Sequence, residues 1–466
     1  MILILIKKLK NLFIHRRRLE NDDKIIINPY KMIPESLRVS SVGTHLYRYG
    51  IHIYRPPCIG NDYQRNWYYN PLFILFMEFV YLFRSMTAFF ISAEPSENRK
   101  YFIYLGDYMY CIGAKTHINL AAICYMSIGI CLLLLATYHD YRGIRPTFLY
   151  SLDFLAGRMT PSTACLNDNR YIEKLLIKTR WIVNYCEFNT RAVGIVSFIL
   201  SAWPLWFECT TIEFLTSGLP WSIIFAISSY FTFSAYFWNM AYFYILCNFL
   251  CYRLREINDL VVRFSHLKLK QSGIRKLVNK ANLRIIRAHL NRIGKDIQHF
   301  NNTYFKDVIF IIVILMGTFT NVVLYTALFV PVDLTIRFSL FYAVVLATSA
   351  ICFLLNTATL VYNEAAISRK VLNKLYVSQI QFHNPYTLYN ILLTIESQSK
   401  KRMGFYFLSV FIINSSKFFE VIILVFIAAS FFYYHFSGLL NLDCSNNNDV
   451  FPENYTIIIR KTIGLI

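Results

Sequence analysis

Seven stretches of the chain are apolar enough and long enough to cross a membrane as helices. They lie at about 71–92, 118–138, 192–215, 219–250, 307–331, 338–362 and 404–436. A helix needs roughly 20 mostly apolar residues to span about 30 Å of hydrocarbon, and each stretch reaches that length. The pattern therefore predicts an all-α, polytopic membrane protein with seven transmembrane helices.

The polar segments 252–306 and 363–402 keep apolar residues at helical spacing, as in Leu254, Ile257 and Val261. This amphipathic pattern predicts that the neighbouring spans extend beyond the membrane as helices and form a helical cytoplasmic base. We expect a turn at residues 275–280 and a break before Pro385. The chain then divides into an N-terminal segment (1–70), the seven-helix domain (71–436) and a short tail (437–466).

The distribution of basic residues predicts the orientation. The net charge is +20, and 39 of the 47 Lys and Arg residues lie in segments 1–70, 139–191, 252–306 and 363–403. Cytoplasmic loops carry such an excess, so the N-terminus is expected in the cytoplasm and the C-terminus outside the cell. Because the charge is spread over four segments, it does not form the concentrated basic face of a nucleic-acid-binding protein.

Several motifs are missing from the sequence. It has no Gly-rich phosphate loop, no His-Glu-x-x-His and no Cys-x-x-Cys. These absences give no support for nucleotide-driven transport or for a compact metal site. We therefore expect a protein that is not an enzyme and that carries no cofactor and no metal.

Two pairs of ionisable side chains lie inside the first and last predicted spans. Glu78 and Arg84 share the first span, about 240° apart around the helix, so each is expected to have its own partner elsewhere, with a structural salt bridge as the simplest role. Lys417 and Glu420 share one face of the last span, which is typical either of an ion pathway or of a helix that begins in the cytoplasmic base.

Large aromatic and polar side chains are concentrated in the third and fourth spans. We expect an outward-facing pocket for a small organic ligand, with candidate ligand-binding residues Trp203, Trp206, Glu208, Tyr230, Ser234 and Trp238. The alternative is the belt of Trp and Tyr residues that membrane proteins place at both interfaces with water.

The chain resembles the arthropod gustatory and odorant receptor superfamily. The resemblance covers roughly residues 40–437 and rests on the topology, on the sequence of 250–258 after the fourth span, on His299-Phe300-Asn301 before the fifth, and on Met403-Gly404-Phe405 before the last. The family's signature at the outer end of span seven falls on 428–436, where only Phe436 matches and His435 replaces Gln. The chain thus resembles a divergent gustatory receptor.

The resemblance implies a ligand-gated, non-selective cation channel in the plasma membrane. It implies a homotetramer, or a heterotetramer with a co-receptor, that binds a small molecule among the outer halves of spans two to six and is surrounded by lipid. Each subunit would line the pore with its seventh span. The candidate pore residues are Lys417 and Glu420 at the cytoplasmic entry, and the stripe of Ala428, Phe432, His435 and Phe436 towards the outer end. Two alternatives stay open: a secondary transporter of a small organic solute, and a seven-span protein that serves only in assembly.

Asn454-Tyr455-Thr456 is an N-glycosylation triplet in the tail that is expected outside the cell. We therefore predict a glycan at Asn454. A second triplet begins at Asn301 and is expected on the cytoplasmic side, where it would remain unmodified.

Overall fold

The computed structural model describes most of the first six predicted spans and a smaller share of the chain beyond them. The described residues are 71–91, 101, 103–107, 115–141, 149–157, 159–266, 273–302, 304–330, 334–380, 385–400, 403–407, 411–414, 420, 423 and 427. The segments 1–70 and 437–466, with Asn454, lie outside them.

The described part of the chain is almost entirely helical. Its helices are α1 (Pro71–Phe90), α2 (Lys115–Tyr141), α3 (Leu149–Leu155), α4 (Pro161–Ala164), α5 (Asn169–Glu208), α6 (Thr211–Glu213), the π-helix π1 (Phe214–Gly218), α7 (Leu219–His266), α8 (Gly273–Asn302), α9 (Tyr304–Ile311), the π-helix π2 (Ile312–Met316), α10 (Gly317–Phe329), α11 (Leu334–Ile380) and α12 (Pro385–Lys400). A short antiparallel hairpin comes next, made of β1 (Tyr406–Phe407) and β2 (Phe411–Ile412).

Six helical stretches among the described residues are long and apolar enough to cross a membrane. They run over Phe73–Phe90, Thr116–Ala136, Asn169–Phe207, Thr211–Arg263, Asp307–Leu328 and Ile336–Val377. They correspond in order to the first six predicted spans, and the all-helical class is confirmed for this part of the chain. A seventh span and the orientation remain predictions.

Helix α1 shows how these helices divide their surfaces. Its inward face carries Glu78, Arg84 and Ser85, each at most 2% exposed. Its outward face carries large apolar side chains at helical spacing, and the exposed members are Phe76, Phe79, Phe83, Met86 and Phe90. Polar groups inside and apolar groups outside are the arrangement expected of a helix whose solvent is lipid.

Helix α7 lies at the centre of the bundle. It is one uninterrupted helix of 48 residues and packs against α1, α2, α5, α8 and α11. The largest hydrophobic core follows its length, from Tyr236 through Leu250 to Val261. Because α7 contacts most other helices, side chains on different faces of α7 join several spans.

The helical extensions predicted for 252–306 and 363–402 are present in α7, α8, α11 and α12. Two details differ from the prediction. Residues 275–280 lie within α8, which begins at Gly273, and do not form the turn. The last predicted span began at residue 404, but Tyr406–Phe407 and Phe411–Ile412 are paired antiparallel strands, and the side chain of Asn301 bonds to the backbone of Gly404 and Tyr406 there.

Helix α5 is longer than the sequence predicted. The third span was expected to begin near residue 192, whereas α5 begins at Asn169. It also passes through Pro204 without ending and stops only at Glu208. Its first half carries several charged residues, which lowered its hydropathy and concealed the helix.

Candidate functional site

A buried carboxyl group lies between the first, second and fourth membrane helices. Glu78, on the inward face of α1, is 1% exposed. It lies twelve residues from the end of α1, which places it about 18 Å along the helix from Phe90. Ionisable groups at such depth are costly in lipid and mark candidate functional sites.

Glu78 has one hydrogen-bond partner among the described residues. The hydroxyl of Thr232 on α7 donates to Glu78 Oε1 across 3.2 Å, and Glu78 Oε2 has no partner in the part of the chain that the structure describes. No described Lys, Arg or His forms an ion pair with this carboxyl group. The first-span salt bridge that the sequence suggested for Glu78 is therefore not seen among these residues.

Helix α2 completes the site with a glycine. A Cβ atom added at Gly129 would lie 2.6 Å from both Glu78 Oε1 and Thr232 Oγ1. Such an approach is too close for real atoms, so the carboxyl group and the hydroxyl occupy space that only glycine leaves open on α2. Gly129 thus allows three helices to bring polar atoms together.

Two further hydroxyl groups belong to this site. Tyr125 on α2 donates to the backbone oxygen of Ser229 on α7 across 2.9 Å. Ser229 lies one turn before Thr232 on α7, and its own hydroxyl is buried without a partner among the described residues. The sulfur atom of Met126 on α2 lies 3.6 Å from Thr232 Oγ1. We refer to the six residues Glu78, Tyr125, Met126, Gly129, Ser229 and Thr232 as the Glu78 cluster.

Aromatic rings surround the Glu78 cluster. Tyr81, one turn along α1 from Glu78, stacks on Phe225 of α7 with ring centroids 4.8 Å apart. The ring of Tyr125 contacts Phe233 of α7 at 5.2 Å and Phe319 of α10 at 5.5 Å. These rings come from α1, α2, α7 and α10, and Tyr125 belongs to the cluster itself.

The helix that supplies Phe319 is irregular beside the cluster. The fifth membrane-crossing stretch changes to the π-helix π2 at Ile312–Met316 and returns to α-helix at Gly317. Single π-helical turns within α-helices occur frequently at functional sites, because the widened turn alters the direction of the side chains around it. This local geometry adds to the reasons for regarding the cluster as a site.

Arg84, the other ionisable residue of the first span, has a different environment. Its guanidinium group donates to the backbone oxygens of Leu105 at 2.9 Å and Gly106 at 2.6 Å, and to Asn119 Oδ1 at 3.2 Å. It also forms an ion pair with the buried Asp107 at 3.5 Å. The expectation that Arg84 has a partner elsewhere is correct, and the contacts hold the loop at 103–107 against α1 and α2.

The structure spreads the predicted ligand-binding residues along the bundle. Trp203 and Trp206 lie near the end of α5 and are 64% and 57% exposed. Tyr230, Ser234 and Trp238 follow each other at intervals of four residues on α7, and Ser234 and Trp238 are buried. The side chain of Glu208 lies outside the part that the structure describes.

The depth of Tyr230 can be read from its neighbour on α5. A Cβ atom added at Gly194 would lie 3.5 Å from Tyr230 Cβ, and Gly194 precedes Trp203 by nine residues, or about 13 Å along the helix. Trp238 lies eight residues beyond Tyr230 on α7, or about 12 Å further. The predicted ligand-binding residues from Trp203 to Trp238 are therefore spread over much of the membrane thickness.

Most of the predicted pore residues fall outside the described part of the chain. These are Lys417, Ala428, Phe432, His435 and Phe436. Glu420 is helical and exposed.

The sequence identified Glu78 but not the residues around it. A signal was present: Gly129 on α2 and the small polar run of Ser228, Ser229 and Thr232 on α7 lie in otherwise apolar stretches. Small and hydroxyl-bearing residues let membrane helices approach closely and bond across their interface. The sequence did not provide the pairing of helices that brings these residues to Glu78.

No protein-family model matches the chain, and no curated protein matches its sequence. Solved structures do match it. The insect olfactory receptor OR5 from Machilis hrabei superposes with a TM-score of 0.57 at 12% identity, over 84% of this chain and 96% of the receptor. The same receptor in complex with eugenol gives a TM-score of 0.57 at 13% identity, over 83% and 96% of the two chains.

At this level of identity the likeness shows the fold. The chain has the fold of an insect olfactory receptor across almost the whole length of that receptor. The fold implied by the resemblance that topology and a few short motifs suggested is thereby confirmed.

Proposed function

We propose that the chain is a chemoreceptor of the plasma membrane that acts as a ligand-gated, non-selective cation channel of the gustatory type. The observation that carries the proposal is the shared fold over 96% of the olfactory receptor. The complex of that receptor with eugenol supports a small organic molecule as the ligand. The membrane-crossing helices supply the lipid-embedded scaffold that such a channel needs.

The proposal includes an assembly. The pore is formed by the seventh span of four subunits, either identical or including a co-receptor, with Lys417, Glu420, Ala428, Phe432, His435 and Phe436 as the candidate pore residues. The ligand contacts proposed from the sequence are Trp203, Trp206, Glu208, Tyr230, Ser234 and Trp238. Purified protein in mild detergent is expected to have the mass of a tetramer, and a monodisperse monomer would speak against a pore shared by several chains.

The function is tested by whole-cell recording from cells that express this chain alone or with a candidate co-receptor. A panel of sugars, amines, bitter compounds and aromatic odorants is expected to contain ligands that evoke an inward current. That current should reverse close to zero potential, since a non-selective pore passes sodium and potassium alike. Cells expressing the Phe432→Ala variant, which would widen a hydrophobic gate, are expected to show a larger resting current.

A transporter predicts a different result. Transporter sites are commonly built from interrupted membrane helices, whereas α5, α7 and α11 each run unbroken through their span. Ligand uptake without current would nevertheless identify a transporter and reject the channel.

A further inference from the structure

We infer that the Glu78 cluster is a binding site for the protonated amino group of a small organic amine. The inference rests on the proposed function, because it names the chemical class of ligand that this receptor would take. It does not use the aromatic residues on α5 that the sequence suggested. Its basis is that two buried oxygen atoms in the cluster, Glu78 Oε2 and the Ser229 hydroxyl, have no hydrogen-bond partner among the described residues.

No described side chain supplies a positive charge next to the Glu78 carboxyl group. Glu78 Oε2 is buried without a partner in the described part of the chain, and a carboxylate in an apolar environment needs a cation or a proton beside it. The other ionisable side chain of α1 does not supply that cation, because Arg84 is bound to Asp107, Asn119 and two backbone oxygens. An ammonium group placed at Oε2 would be the cation that takes the place of such a proton.

The Glu78 cluster also contains acceptors for the hydrogen bonds of an ammonium group. An ammonium group carries three donors and no acceptor, so it requires oxygen atoms that can accept. The cluster offers Glu78 Oε2 and the hydroxyl of Ser229, both buried and both without a partner among the described residues. The hydroxyl of Thr232 already donates to Glu78 Oε1, which fixes the orientation of the carboxyl group.

Aromatic rings next to the Glu78 cluster favour an organic cation. Faces of aromatic rings attract organic cations through the negative charge of their π systems, and ammonium ligands are recognised in this way. The Tyr81 ring already stacks on Phe225 and lies 5.3 Å from the Arg84 guanidinium, so the rings left for the ligand's ammonium group are those of Tyr125, Phe233 and Phe319. Aromatic walls favour an organic ammonium over a sodium ion, which is held by oxygen atoms alone.

The size of the ligand follows from Gly129. On the Gly129 side the space beside Glu78 Oε1 is already filled, so we expect the ligand to reach Oε2 with the narrow charged end of a primary amine rather than with a bulky quaternary ammonium. The rest of the ligand would extend among the rings that surround the cluster.

The experiment measures the thermal stability of the purified full-length protein in nanodiscs. The probes are methylammonium, isobutylammonium and 2-phenylethylammonium, and the matched neutral probe is 2-phenylethanol, which replaces the amino group with a hydroxyl. At least one amine is expected to raise the melting temperature in a saturable manner, whereas 2-phenylethanol should have a much smaller effect.

The variant Glu78→Gln keeps the shape of the side chain and the acceptor for Thr232 but removes the negative charge. It is expected to weaken binding of the effective amine at least about tenfold, because hydrogen bonds to an ionised partner are roughly twice as strong as neutral ones. Gly129→Ala retains the charge, but its Cβ atom would displace the Glu78 carboxyl group and the Thr232 hydroxyl, so it should weaken binding to a similar degree. The matched control is Glu187→Gln, which removes a carboxylate from α5 outside the cluster and should leave binding unchanged.

Three results would overturn the inference: no stabilisation by any of the three amines, equal stabilisation by 2-phenylethanol, or an amine effect that survives in Glu78→Gln. Stabilisation by sodium over potassium that depends on Glu78, without a response to amines, would also reject it in favour of a metal ion. Because the readout is binding, it is independent of current. Amine binding without current would reject the channel alone, and amine-evoked current unchanged in Glu78→Gln would reject only this site.

Discussion

Glu78 and Arg84 are ionisable residues six positions apart on one helix, yet their surroundings have little in common. Arg84 is held by backbone oxygens and by Asp107 in a closed polar network, whereas Glu78 has a single hydroxyl donor among the described residues. The sequence predicted that the two side chains point in different directions, since helical geometry alone requires it. It did not identify Asp107, because that residue lies in a loop whose position depends on the packing of α1, α2 and α7.

The Arg84 network makes a prediction about stability. Arg84→Met should destabilise the protein by about 3–5 kcal/mol, because it leaves the buried carboxylate of Asp107 without its cation. Thermal unfolding followed by size-exclusion chromatography measures the change. The control is Arg170→Met, whose partner Asp168 is at the surface, and it should have little effect. Equal melting temperatures for the two variants would show that the network carries no stabilisation.

Alanine substitutions at two glycines should change the stability of the protein in opposite directions. Gly106 has φ of +59°, and an added Cβ atom would lie 2.5 Å from Trp221 Cβ. Gly106→Ala should therefore lower stability by at least ~1–2 kcal/mol, through backbone strain and displacement of Trp221. Gly194 lies within α5, where an added Cβ makes only ordinary contact with Tyr230, so Gly194→Ala should raise stability by ~0.5–1 kcal/mol. Melting temperatures that shift in the same direction for both variants would contradict the local geometry.

At the scale of elements, hydropathy located the apolar part of each long helix but not its full extent. The first half of α5 is charged on one face, and its buried residues follow helical spacing: Ile172, Leu175, Thr179, Ile182, Val183 and Cys186. That periodicity was available in the sequence. The hairpin at β1 and β2 was not predictable in the same way, because its residues are apolar enough to continue a span and only tertiary contacts stop them from doing so.

One of those contacts comes from Asn301 at the end of α8. Its side-chain amide donates to the backbone oxygen of Gly404 at 2.8 Å, and its Oδ1 accepts from the backbone amide of Tyr406 at 3.1 Å. The side chain thus bonds to backbone groups just before and at the start of β1. The same asparagine begins a glycosylation triplet, and both of its polar atoms are occupied in the folded protein.

Asn301→Ala should therefore loosen the hairpin without unfolding the bundle. Amide hydrogen exchange of residues 403–407 and 411–413 is expected to accelerate, because the amide of Tyr406 loses its acceptor and local opening becomes easier. Asn302→Ala changes the exposed neighbour and provides the matched control. Exchange that is equally fast in both variants, or unchanged in Asn301→Ala, would mean that other contacts hold the hairpin.

At the scale of the whole molecule, the shared fold with an insect olfactory receptor was inferred from topology rather than from any single motif. The pattern of spans and the helical base were predictable because hydropathy and amphipathic spacing are set by the solvent around each helix. The seventh span, the orientation and the four-subunit pore depend on residues or partner chains beyond those described, and they stay predictions.

The orientation is tested through the tail. If the C-terminus lies outside the cell, glycosidase treatment of the expressed protein should lower its apparent mass, and Asn454→Gln should abolish that shift. Asn301→Gln should leave the shift intact, since the amide of Asn301 is held in the fold and is expected in the cytoplasm. A C-terminal tag that antibodies reach only after permeabilisation would reverse the orientation and with it the family topology.

The unbroken length of α7 has a mechanical consequence. At 48 residues the helix is about 72 Å long, more than twice the hydrocarbon thickness of a bilayer. Thr232 contacts Glu78 near one end, and Arg255, about 35 Å further along, is bonded to Glu364 of α11. A rod of this length that pivots by about 3° moves its far end by about 4 Å relative to the near one. If α7 pivots as a rigid rod near Leu219, a small displacement at the buried carboxyl group would be larger at the Arg255–Glu364 contact, with no change in the helix itself.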